Sequence, residues 1–235
     1  MEIKLFYREE GSGEPLILLH GNGEDSTYFD EQIAYFKKSY CVIALDTRGH
    51  GKSARGTANF CIRQFAEDLH DFMEEKKIKK ANILGFSDGA NIALIFAMRY
   101  PEYVKKLILN GANLKGDGVK PTVQIPIIVG YRMASLFARV SSRAAANAEM
   151  LGLMVHDPNI EPSELKKVKV RTLVIAGTKD MIKEEHTRQI YENLSDAELV
   201  LLEGNHFVAK RNPEAFNKAV EIFLKEKDGK EKKDV

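Results

Sequence analysis

The chain has no tryptophan and only two cysteines, Cys41 and Cys61, in 235 residues. Two cysteines build no disulfide framework, and their surroundings give no zinc spacing. Neither charge is in excess: 35 Lys and Arg stand against 34 Asp and Glu, a net charge of +1. That balance offers no global field to nucleic acid or to an anionic membrane. No apolar run approaches the roughly 18–20 residues a membrane-spanning helix needs. The opening Met-Glu-Ile-Lys-Leu-Phe-Tyr-Arg-Glu-Glu lacks the basic-then-apolar order of a secretory signal. Repeats and low-complexity linkers are absent as well. A hydrophobic share of 44%, with 12 Phe and 8 Tyr, is enough for an ordinary core in one generous domain. The expectation is a soluble, cytoplasmic, globular protein.

Short apolar runs recur: Leu16–Leu19, Cys41–Leu45, Ala81–Leu84, Lys106–Leu109, Thr172–Ala176 and Leu199–Leu202. Their length and their Ile, Val and Leu content suit strands buried on both faces. Between them Ile62, Phe65, Leu69 and Phe72 return every three or four residues, as one face of a helix does. Asn212-Pro213 reads as an N-cap with proline in the first turn, opening a helix through Phe216, Val220 and Phe223. Strands alternating with helices predict an α/β fold, doubly wound, with parallel pairing and right-handed crossovers.

The rhythm breaks between Ala112 and Lys169, where no strand is evident. Two helices of mixed amphipathic character are expected there, over 125–140 and 142–155, then a short segment over 161–168. They are either extra core helices or a cap over one end of the sheet, and their position between strands favours the cap. The division is then a core over 1–112 and 170–224, a helical cap over 113–169, and a charged tail over 225–235. Mixed signs in that tail suit a solvated, frayed end.

The most informative stretch is Ala81-Asn-Ile-Leu-Gly-Phe-Ser-Asp-Gly-Ala-Asn, where Gly85-x-Ser87-x-Gly89 sits between an apolar strand and a helix. A serine on so tight a turn takes strained dihedrals and presents its Oγ clear of the backbone. Backbone around such a turn comes close enough to exclude Cβ atoms, which glycine at 85 and 89 answers. The helix start behind Ser87 favours developing negative charge.

Acyl transfer also needs a base, an acid to orient it, and two oxyanion donors about 2.7–3.1 Å from the developing charge. The glycine-rich His20-Gly21-Asn22-Gly23 ends the first apolar run, so the backbone N–H groups of Asn22 and Asp88 are the candidate donors. His20 itself suits bracing of that loop. Of six histidines, His206 lies in a loop past the last apolar run, on the carboxyl edge of a parallel sheet that also carries Ser87. His70 and His186 fall in charged helical stretches and read as surface residues, His50 belongs to a turn, and His156 ends the proposed cap. Asp180 follows Thr172–Gly177 at a strand end and would hold the imidazole, although it could equally cap the next helix. Asp117 is the other acid to weigh.

Asp46-Thr-Arg-Gly-His-Gly-Lys-Ser53 imitates a phosphate-binding loop, but that motif needs glycine where Asp46 stands. A turn with Asp46 and Arg48 in local hydrogen bonds is the better reading. No spacing suggests a metal.

His20-Gly21, Asp46-x-Arg48-Gly49-His50-Gly51-x-Ser53, Gly85-x-Ser87-x-Gly89, Gly177-x-x-Asp180 and Gly204-x-His206 occur in that order. Together they resemble the α/β-hydrolase superfamily over nearly all of the chain outside the cap and tail. The resemblance implies a mostly parallel sheet of seven to eight strands, seven if the chain starts at the family's second strand. It also implies a Ser87–Asp180–His206 triad and no cofactor. The Ser-Asp-Gly elbow is similar to the valacyclovir-hydrolase-like branch, which cleaves α-amino acid esters. There the Asp88 side chain either enters the pocket and favours a cationic group, or faces solvent or caps the helix.

The expected activity is hydrolysis of small to medium, largely apolar carboxylic esters, with a small-molecule ester-like substrate and no nucleic-acid or membrane partner. Ile125, Ile127, Ile128, Met133, Leu136, Phe137, Met150, Leu151, Leu153 and Met154 offer the apolar lining. The alternatives are a ligand-sensing protein with slow or no turnover, and a lactone or carbon–carbon bond hydrolase. Oligomeric state is left open by the sequence.

Overall fold

The computed structural model describes residues 2–226. Of the tail expected over 225–235, Lys225 instead closes the last helix and bonds Glu221 at 2.7 Å, and 227–235 lie outside the described residues. Seven strands form one sheet: β1 (Tyr7–Glu10), β2 (Glu14–Leu19), β3 (Tyr40–Leu45), β4 (Ala81–Phe86), β5 (Val104–Asn110), β6 (Thr172–Gly177) and β7 (Ala197–Leu202). Their spatial order is β1-β3-β2-β4-β5-β6-β7, with only β1 antiparallel. All six apolar runs are strands. β1 was not anticipated, because Tyr-Arg-Glu-Glu carries no apolar run. β7 departs from the expectation of two buried faces: it is the sheet's edge and half-buried throughout.

Alternation along each strand builds two cores. Ile17, Leu19, Ile43, Leu45, Ile83 and Leu107 face one side, while Leu16, Leu18, Val42, Ala44, Leu84 and Ile108 face the other. The first side is covered by α2 (Ile62–Glu75) and α3 (Asp88–Arg99), the second by α1 (Asp30–Phe36) and α8 (Pro213–Lys225). The expected stripe of Ile62, Phe65, Leu69 and Phe72 is the buried face of α2. Lys106, an oddity inside an apolar run, is 2% exposed and donates to the Phe223 and Leu224 carbonyls at 3.0 Å. A cation thereby meets the negative end of a helix.

Between β5 and β6 the chain forms α4 (Pro121–Phe137) and α5 (Ser142–His156), two helices packed on each other. α6 (Glu184–Asn193) and the short α7 (Val208–Arg211) complete the set. No helix among the described residues is long and apolar enough to cross a membrane.

Two expectations need correction. His186 is buried beneath Gly118, its Nε2 accepting the Leu114 N–H at 2.9 Å; its helix buries it beside Ile190 and Thr187. His70 is half-buried and stacks on Tyr100 at 4.1 Å. Arg48 makes one local bond, from Nη1 to the Arg55 carbonyl at 3.0 Å, and is held otherwise by distant groups. Its Nε and Nη2 donate to Asp68 of α2, both at 2.7 Å, and its Nη1 to Glu2. Asp46 accepts from the Ser26 and Lys52 N–H groups at 2.8 Å, so this turn clamps the sheet edge to its surroundings.

Arg48 and Asp68 are 1% and 4% exposed at their side chains. Removing one member of such a pair strands the other charge. Asp68→Ala is expected to lower unfolding free energy by about 3–5 kcal/mol in urea denaturation; a loss under about 1 kcal/mol would mean that Arg48 finds water.

Candidate active site

The strand order reverses around β2, whose neighbours β3 and β4 come next in the chain, and the carboxyl ends of β2 and β4 meet with Leu19 opposite Gly85. An open α/β sheet forms its crevice at such a point. Ser87 stands there with φ 53° and ψ −119°, the strained turn its sequence implies. A Cβ on Gly85 would overlap the Gly89 carbonyl. One on Gly89 would strike the carbonyls of Leu19, at the end of β2, and of His20 just after it, a neighbour the pentapeptide alone does not reveal. The Ser87 N–H donates to the Asn110 carbonyl at 2.8 Å, pinning the elbow to β5.

His206, after β7, places Nε2 3.0 Å from Ser87 Oγ and Nδ1 2.7 Å from Asp180 Oδ1. Asp180 Oδ1 also accepts the Ile182 N–H at 2.9 Å, so the carboxylate has little freedom to turn. Both side chains are under 5% exposed, at 4% for His206 and 3% for Asp180. With Nδ1 keeping its proton and donating it to the Asp180 carboxylate, Nε2 offers its lone pair to the serine hydroxyl. Asp117, the other acid weighed, makes no bond to His206 and instead acts on the charge of His186. The sequence reading missed Gly111. At φ 65°, a Cβ there would stand 2.7 Å from His206 Cε1, so only glycine leaves room for the ring.

Loop 20–25 flanks the serine. His20 donates from Nδ1 to the Gly21 carbonyl at 2.7 Å and accepts the Thr47 N–H at Nε2 at 3.0 Å, bracing the loop as expected. Burial lowers its pKa to about 4 and keeps it neutral. Asn22 lines the cavity beside Ser87, and its Nδ2 donates to the Met150 carbonyl of α5 at 2.7 Å. Asp88 is the first residue of α3, so its N–H has no acceptor within the helix.

The cavity at Ser87 holds about 250 Å³. Gly21, Asn22 and Glu24 form one wall, Phe86 and Phe207 another, and Met154 and Met181 complete it. Of the ten apolar residues expected to line it, Met154 alone does. Ile125, Met133, Leu136 and Phe137 are exposed, Leu153 is in the core, and the rest are half-buried. Amphipathic spacing cannot distinguish a pocket wall from a solvent face. Glu24 was not foreseen. It is the one carboxylate in the wall, its Oε2 is buried without a hydrogen-bond partner, and burial pushes its pKa up to about 7. Among the described residues no cluster of His, Cys, Asp or Glu could hold a metal ion.

The Asp88 side chain takes neither expected course. It is 8% exposed, faces no solvent, lies outside the cavity wall, and makes no helix cap. Oδ1 accepts from Asn91 Nδ2 at 3.4 Å, whereas Oδ2 is buried without a partner. Burial pushes its pKa up to about 7, helped by the nearby Asp157 carboxylate. The folded state therefore binds this proton more tightly than the unfolded chain, whose carboxyl titrates near 3.8. Its contribution to stability falls as pH rises from about 4 to about 7. Asp88→Asn is expected to raise the melting temperature at pH 8 and to leave it unchanged at pH 4; equal effects at both would refute the raised pKa.

Residues 14–154 match the family described as alpha/beta hydrolase fold. The chain is 30% identical to serine hydrolase BPHL of Homo sapiens over 248 residues, covering 94% of this chain and 83% of that one. It is 25% identical to 3-oxoadipate enol-lactonase 2 of Acinetobacter baylyi, over 95% of this chain and 94% of that one. Among solved structures, an enol-lactonase from Burkholderia xenovorans superposes with a TM-score of 0.80 at 24% identity, covering 95% of this chain and 97% of that one. With its seven-stranded sheet and its five landmarks in order, the chain belongs to the α/β-hydrolase superfamily, as a hydrolase of that fold.

Proposed function

We propose that the chain is a serine hydrolase that cleaves small to medium, largely apolar carboxylic esters through an acyl-enzyme. The observation that carries this reading is the continuous hydrogen-bond chain from Ser87 through His206 to Asp180 beside a cavity. His206 Nε2 takes the Ser87 proton as Oγ attacks the ester carbonyl. The N–H groups of Asn22 and Asp88 receive the oxyanion, and Asp180 stabilises the imidazolium. The imidazolium returns its proton to the departing alcohol, leaving an acyl-serine. Water, deprotonated by His206, then releases the acid and restores Ser87.

A volume of 250 Å³ lies just below the usual span for ligand pockets, about 300–1,000 Å³. The thioethers and phenyl rings of its wall favour an uncharged apolar group. Residues 113–169 act as the cap in this reading, contributing Met154 and anchoring Asn22 through the Met150 carbonyl.

One observation favours a narrower class, α-amino acid esters. Asp88 Oδ2, next in sequence to the nucleophile, is buried without a partner and would gain from an ammonium group. Its present place outside the wall means that a side-chain turn would be needed.

A p-nitrophenyl ester series from acetate to octanoate, with fluorophosphonate labelling, tests the proposal. Short chains should be fastest, Ser87→Ala should lose turnover and label together, and Asp180→Asn should lower kcat by about ten-thousand-fold. Equal rates for Ser87→Ala and wild type would remove the serine from the reaction. Matched alanine and propionate esters, on wild type and Asp88→Asn, decide the narrower class: only the alanine ester should lose rate.

A further inference from the structure

Eight large apolar side chains are exposed among the described residues, and six of them lie between 125 and 140. Ile125, Val129, Met133 and Leu136 are 59%, 55%, 51% and 72% exposed and follow one another at four-, four- and three-residue steps. That spacing makes one continuous stripe on the outer side of α4. Val140, 82% exposed, extends the stripe beyond the helix end, and Phe137 at 53% widens it. At about 1.5 Å per residue the stripe is roughly 20 Å long. Inward, α4 packs on α5, Gly130 against Leu151 and Tyr131 against Gly152, and the stripe is what remains outside that contact.

The charge around the stripe is one-sided. From Gly118 to Ala148 the sequence contains no Asp or Glu, while Arg132, Arg139 and Arg143 are all exposed. Arg132 lies one helical turn before Leu136 on α4, Arg139 stands beside Val140 in the turn after the helix, and Arg143 is in the first turn of α5. Lys120, the fourth cation of the segment, is engaged by the Asp180 carbonyl at 2.6 Å. A chain of net charge +1 thus places three exposed arginines and no acid along α4, the turn after it and the first turn of α5.

We infer that the outer face of α4, with the turn that leads from it into α5, docks reversibly on an anionic lipid surface, apolar stripe in the acyl boundary and Arg132, Arg139 and Arg143 against the headgroups. An interfacial helix of this kind joins buried apolar area to attraction for acidic lipids. The charge distribution selects this occupant over a second copy of the chain. A two-fold contact through the stripe would bring together two copies of the same arginine-bearing segment, with no acidic residue in 118–148 to pair with either copy. This inference is independent of the proposed ester hydrolysis, because docking needs no turnover.

Co-sedimentation tests it, using vesicles of phosphatidylcholine alone or mixed with phosphatidylglycerol. Wild type should partition onto the mixed vesicles on the order of tenfold more strongly than onto the neutral ones, and less so as salt rises. Leu136→Glu with Val140→Glu should abolish binding. Arg132→Gln with Arg139→Gln and Arg143→Gln should reduce it to the neutral-vesicle level. The substituted side chains are exposed, so unchanged melting temperatures would show that each variant is folded. Equal partition onto both vesicle types, or binding unaffected by the Glu pair, overturns the inference. So does a wild-type dimer in sedimentation equilibrium that the Glu pair dissolves, which would assign the stripe to a second copy.

Discussion

The site depends on one close approach of backbone. Ser87 holds a positive φ that costs a side-chain-bearing residue about 1–3 kcal/mol, and the surrounding packing must enforce it. Enforcement comes from three segments meeting without Cβ atoms between them: the end of β2, the end of β4 and the start of α3, at Gly85 and Gly89. Because β2 and β4 are neighbours in register, the loop that follows β2 arrives beside the serine with no further device. The same geometry puts the start of α3 behind Ser87, where the positive end of the helix faces any charge that develops on the substrate.

The carboxylates around the serine are treated unequally, and the inequality defines what each can do. Asp180 receives a backbone N–H as well as the imidazole, so its burial is compensated. Asp88 and Glu24 each leave one oxygen buried and unpartnered, and both have pKa values raised to about 7. Asp180 is therefore held in place as the partner of His206, while Asp88 and Glu24 can gain or lose a proton near neutrality.

Much of this was legible in the sequence, for identifiable reasons. The six apolar runs are strands because parallel strands between helix layers must be apolar on both faces. Ser87, Asp180 and His206 could be named because each follows such a run at the carboxyl edge. What escaped notice lacked a periodic signal. β1 is a polar four-residue edge strand, readable only through its pairing with β3. His186 looked solvated because charged neighbours surround it in sequence, yet Ile190 one turn on marks the same buried face. Glu24 and the partners of Arg48 depend on contacts between distant segments. The apolar residues of α4 were assigned to the pocket because periodicity defines a face without saying what it meets.

Trapping the covalent intermediate tests the central claim most directly. Wild type and a His206→Ala variant would be mixed with p-nitrophenyl acetate, quenched within the first turnover, digested and analysed by mass spectrometry. The account requires an acetyl group on Ser87 of the wild type that disappears as substrate is exhausted, and far slower acetylation in the variant. Rapid p-nitrophenol release with no acetyl group on Ser87, or with the group on another residue, would contradict it.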